Sequence, residues 1–95
     1  MSTRNEYIEK AKAQLDRWNA QIEELEARWK KAEADAKVQY EDQLKQVREQ
    51  RDEAKEQIEK VQKASESAWD DMRAGSEKAW GQIQEAFQKA ASRFN

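Results

Sequence analysis

The chain has no cysteine, no histidine and no proline, and its only glycines are Gly75 and Gly81. Without cysteine there are no disulfides, no thiolate chemistry and no haem attachment. Without histidine as well, the usual zinc ligands are missing. Without proline and with so little glycine, nothing obvious interrupts a helix. Long apolar runs are also missing, and none approaches the ~20 residues of a membrane span. The opening MSTRNEYIEK is charged and has no signal-peptide core, so a cytoplasmic location is expected. Neither charge sign dominates: 18 basic and 20 acidic residues give a net charge of −2. The two signs nearly balance in each third of the chain. A nucleic-acid binder shows a basic face or stripe, and this chain has none.

What is present is charge and helix-forming side chains. Charged residues make up 40% of the 95 positions and apolar residues 37%, with Ala, Glu, Gln, Lys and Arg abundant. That composition suits a coiled coil or long helix rather than a wide globular core. The predicted class is all-α, one domain over 1–95, with a long helix and a shorter C-terminal helix forming a hairpin that self-associates. TRNE reads as a capping box, Thr3 as N-cap and Glu6 three residues on. From there apolar residues step by three and four: Ile8, Ala11, Leu15, Trp18, Ile22, Leu25, Trp29, Ala32 and Ala36. Four-residue steps carry the seam to Tyr40 and Leu44, a stutter. The heptad pattern then resumes as Val47, Arg51, Ala54, Ile58 and Val61. A continuous helix over about 3–63 is therefore expected.

A second rhythm has a period of eleven. Tyr7, Trp18, Trp29 and Tyr40 follow it, and so do Trp69 and Trp80. Around the latter pair Ala68, Ala79 and Ala90 repeat, as do Met72, Ile83 and Phe94. Eleven residues make three helical turns, so this part predicts a nearly straight helix over about 68–94. The apolar stripe covers about 100–120° in residues 8–61 and about 160° in residues 68–94. The wide stripe suits a helix wedged between two others, or one lying on lipid.

Three courses are open for the chain between them. It turns near 64–67, with Lys60 and Lys63 in a last turn and Ser67 capping a helix that begins with acidic Asp70 and Asp71. Alternatively it turns near Gly75, where RAGS offers a C′ glycine, or it continues as a rod. Geometry favours the first. Two helices spanning 3–63, paired antiparallel about residue 33 with each C-terminal helix folded back, give three-helix layers. Trp80 then lies near Trp18 of the other chain, Trp69 level with Tyr7, and Phe94 near Trp29 and Tyr40. The predicted oligomer interface is Ile8, Leu15, Trp18, Ile22, Leu25, Trp29, Tyr40, Leu44, Val47, Ile58, Val61, Trp69, Met72, Trp80, Ile83, Phe87 and Phe94.

Nothing in this pattern points to chemistry. Paired acids such as Glu23–Glu24, Glu41–Asp42 and Asp70–Asp71 read as solvated helix surface, because neighbours in sequence do not face each other on a helix. Arg51, on the seam, reads as a register-setting polar residue whose head reaches a carboxylate. Gly75 falls on the stripe, where it permits close helix approach. No catalytic, cofactor-binding or metal-ligating residue is expected, and no cofactor. The expected partner is the chain itself, a homo-oligomer with a dimer favoured. The second expectation is an amphipathic coat on a membrane or hydrophobic granule, made by the C-terminal hendecads.

The segments YIEKAKAQLDRWNAQIEELEA, YEDQLKQVREQRDEAKEQIEK and SAWDDMRAGSEKAWGQIQEAFQKAASRF resemble a group of short bacterial coiled-coil proteins. The repeat of Ala68-Trp69 at Ala79-Trp80 is the most telling part. Some members of that group carry a stress-response label. The resemblance implies a soluble bacterial protein, leaves the mechanism open and supplies no catalytic residues.

Overall fold

The computed structural model describes residues 3–92 and is all-α. Three helices follow one another: α1 (Thr3–Lys31), α2 (Ala34–Lys63) and α3 (Glu66–Ser92). They form an up-down-up bundle measuring 52 × 18 × 18 Å. α1 and α3 therefore run in the same direction and α2 against both. Each helix pair is joined by only two residues, Ala32–Glu33 and Ala64–Ser65.

The first joint departs from the continuous helix expected over 3–63. The backbone leaves the helix at Glu33 (φ −70°, ψ 160°), and α2 starts without a side-chain cap. The amide of Ala32 still bonds back to the carbonyl of Trp29 (3.2 Å), and that of Lys37 opens the new helix on the carbonyl of Glu33 (2.9 Å). No local signal dictates this break. Ala32, Ala34 and Ala36 favour helix, and no residue takes a positive φ among the described residues. The reason is tertiary. A helix over 3–63 would leave its stripe bare, whereas folding at residue 33 lays one half of the stripe on the other.

The second joint does carry local signals. Ser65 accepts the amide hydrogen of Ala68 on its hydroxyl oxygen (3.1 Å) and so caps α3, in place of Ser67. Lys60 and Lys63 occupy the last turn of α2. Arg4 of α1 donates to the carbonyl of Ala64, and its guanidinium lies 3.7 Å from Glu66. α3 passes through Gly75 without a turn. That residue is exposed and open, with nothing within 4 Å of the place a Cβ would take, so it does not serve close approach.

The core lies along the bundle axis. Trp18, Ile22, Leu44, Val47, Ala54, Ile83, Phe87 and Ala90 form its main cluster, with Leu15, Leu25, Trp29, Trp80 and Ala91 packed against it. Among the described residues the one large hydrophobic side chain left exposed is Val38. Within this one chain, α1 covers the apolar face of α3.

Candidate functional site

The tryptophans build a zipper between α1 and α3. Tyr7 packs against Trp69 (ring centroids 5.3 Å) and edge-on to Trp80 (6.1 Å). Trp18 stacks on Trp80 (5.5 Å, 16° between planes) and on Phe87 (4.5 Å, 14°). Along the bundle the order is Trp69, Tyr7, Trp80, Trp18, Phe87, with α3 and α1 alternating. These separations fall in the range where aromatic pairs attract beyond their area burial. The rings fill the space between the two parallel helices, whose backbones come close at fewer places than either does to α2. Two surface grooves that share Gln14 lie along the seam, one lined in part by Tyr7, Ala11 and Trp80 and the other by Trp18, Leu25 and Phe87.

Polar groups in the interior tie helix to helix. The indole of Trp69 donates to the Thr3 hydroxyl (2.7 Å), so Thr3 serves α3. The Tyr7 phenol donates to the carbonyl of Ser76 (3.1 Å), and Ser76 itself is buried. Buried Gln43 of α2 donates from one amide nitrogen to the carbonyls of Ala90 (3.0 Å) and Ala91 (2.9 Å). Those are among the last carbonyls of α3, which the helix cannot satisfy itself. Burial pushes the Tyr7 phenol above its ordinary pKa. The Gln57 side chain opposes that by hydrogen bonding, and the charge of Glu77 adds to it.

The surface is a network of weak ion pairs. Arg28–Glu24 (2.9 Å), Arg73–Glu77 (3.2 Å) and Lys89–Glu85 (3.4 Å) span one helical turn each, and Arg48–Glu26 (3.1 Å) links α2 to α1. Exposed pairs of this kind contribute ~0–1 kcal/mol each. Arg51 is half-buried and reaches the carboxylate of neighbouring Asp52 (3.2 Å). No cluster of three or more His, Cys, Asp or Glu suited to a metal occurs among the described residues. No helix among them is long and apolar enough to cross a membrane.

Of the residues predicted for the oligomer interface, Trp18, Ile22, Leu44, Val47, Ile58, Val61, Trp69, Ile83 and Phe87 are buried within the one chain. Ile8, Leu15, Leu25, Trp29, Tyr40, Met72 and Trp80 are half-buried. Phe94 lies outside the described residues. Within the one chain described, Trp18 meets Trp80 and Tyr7 meets Trp69. Gln43 and Ser76 escaped the sequence reading, since a lone amide or hydroxyl on a polar helix carries no pattern. No family model, curated protein or solved structure matches the chain.

Proposed function

We propose that the chain is a non-enzymatic structural or interaction protein of the short bacterial coiled-coil kind. It acts in the cytoplasm, in a stress-related setting, and associates with copies of itself. The observation that carries the reading is a set of buried and half-buried side chains that tie one part of the bundle to another. Tyr7, Gln43 and Trp69 each bond to an oxygen of another helix, and Arg4 bonds the Ala64 carbonyl in the joint between α2 and α3. Their hydrogen bonds hold the bundle together, which is the role the structural reading assigns them.

The bundle also shifts the ground for self-association. Its apolar seam is closed inside one chain, so association draws on that seam being reopened rather than on spare apolar surface. The coat reading fares worse. It needs α3 to present Trp69, Ile83 and Phe87 to lipid, and these are 1%, 8% and 1% exposed. Light scattering combined with circular dichroism, with and without anionic and neutral liposomes, tests both. A mass above one chain, with helicity indifferent to lipid, supports the proposal. A mass of one chain at every concentration refutes self-association. Helicity that appears only with lipid refutes the structural reading in favour of the coat.

A further inference from the structure

The two joints of the bundle are built differently. Ala64–Ser65 is fixed by side chains: Ser65 caps α3, and Arg4 bonds the Ala64 carbonyl. Ala32–Glu33 has no side-chain cap, no glycine and no positive φ. Its sequence, Lys31-Ala32-Glu33-Ala34, favours helix. The three-four seam also runs straight through it, from Trp29 to Ala32 to Ala36. The joint is therefore held bent by what α1 gains on meeting α2 and α3, not by a cap of its own.

We propose that Ala32–Glu33 is a hinge through which α1 is exchanged between two copies of this chain. In the exchanged dimer residues 3–63 run as one helix, and α1 of each copy fills the place of α1 in the other's bundle. The proposal rests on the self-association reading and names its form. Each lobe keeps every contact described above: the Trp18–Trp80 stack, the Tyr7–Ser76 bond, the Arg4 clamp at Ala64. Only the joint changes. Straightening it restores helical hydrogen bonds that the bend at Glu33 interrupts. The bend in turn spares the entropy of bringing two chains together, so concentration decides between the forms. Two-residue joints that oppose local propensity are the kind that exchange. The cation of Lys37, 5.2 Å from the Trp29 ring across the bend, is compatible with both forms, because 29 and 37 lie four residues on either side of 33.

Length separates the outcomes. A single helix over 3–63 is about 90 Å long, against 52 Å for the closed bundle. The test is light scattering with small-angle X-ray scattering on the full chain over a wide concentration range. Three variants accompany it. Ala34→Pro puts proline at the first position of α2, where it fits the bend and where extended Glu33 is the conformation that precedes proline. In the straightened helix the same proline is interior. It weakens dimerisation by about 100-fold per hinge, on the order of 10⁴-fold for the pair. Glu33→Gly acts in the same direction by about tenfold for the pair, without proline. Glu33→Ala favours the straight form. The expected result is a dimer of about 90 Å in the wild type, more of it in Glu33→Ala, and a monomer near 52 Å in Ala34→Pro. A dimer no longer than the closed bundle overturns the exchange and leaves self-association standing. A monomer at every concentration, in the wild type and in Glu33→Ala alike, overturns both. A long dimer undiminished in Ala34→Pro and Glu33→Gly overturns the hinge.

Discussion

Replacing Trp18 by alanine is the sharpest test of the zipper. Trp18 is 2% exposed and lies between two stacked rings, Trp80 and Phe87. A tryptophan ring buries 150–250 Å², which at ~25 cal/mol/Å² gives roughly 4–6 kcal/mol as an upper bound. Direct truncations of buried Phe or Trp cost about 3–5 kcal/mol, part of it from the cavity left behind. A domain of 95 residues has roughly 5–14 kcal/mol in all. The variant should therefore lose between about a fifth and all of its stability. Its melting temperature should fall by about 12–40 °C, at ~4–8 °C per kcal/mol for a domain of this size. The assay is urea unfolding followed by circular dichroism at 222 nm, which does not depend on the tryptophan count. Val38→Ala is the control: Val38 is 67% exposed, and its truncation should shift stability by no more than ~0.5 kcal/mol. A Trp18→Ala loss below about 1 kcal/mol, with an unchanged denaturant slope, would show that the zipper does not hold the helices together.

Tyr7 gives the fold a dependence on alkaline pH. Its folded pKa is raised above the ordinary 10.0, so the folded state holds the phenolic proton more tightly than the unfolded chain does. That contribution is complete below the ordinary value and is lost as pH climbs through the raised one. Tyr7→Phe should remove this share of the alkaline loss in unfolding curves taken from pH 8 to 11, and weaken the fold at neutral pH by about 0.5–1.5 kcal/mol. An unchanged alkaline limb would contradict the burial of the phenol. Gln43→Ala strips the donor from the Ala90 and Ala91 carbonyls and should cost about 1–3 kcal/mol. Hydrogen exchange should quicken over residues 86–92 before it does elsewhere. Gly75→Ala meets open space in mid-helix and should stabilise by about 1 kcal/mol. A destabilised Gly75→Ala would mean that a neighbour lies close to that face.

Which parts of this were legible in the sequence follows from where each signal resides. Helices are written locally, in periodicity and composition, and so is the end of α2, where two lysines and a serine mark the joint. The joint at Ala32–Glu33 is not written locally at all. Its residues favour helix, and the seam passes through it in unbroken register. Only the sum of contacts between Ile22, Val47, Phe87 and their neighbours decides that the chain bends there. The same limit explains the buried Gln43 and Ser76. Each is an ordinary surface residue until three helices converge on it.

The equal spacing of rings in α1 and α3 ties these points together. Tyr7 and Trp18 are eleven residues apart, and so are Trp69 and Trp80. Two helices running in the same direction with the same period stay in step, so a ring on one can enter the gap between rings on the other. Eleven residues per three turns is close to the natural twist of the helix, so the step is kept without supercoiling. The wide stripe of α3 is what this arrangement requires, because Phe87 and Ile83 join the core shared with α2 while Trp80 reaches Tyr7 and Trp18 of α1. The zipper fixes the direction and register of α1 against α3 and does not fix which copy of the chain provides α1. Under the exchange proposed above, chain identity is decided at Ala32–Glu33, where two residues that prefer helix are held out of it. A bundle so well matched along its length, and so weakly specified at one joint, is specific in its layers, and the proposed exchange would leave their ownership to concentration.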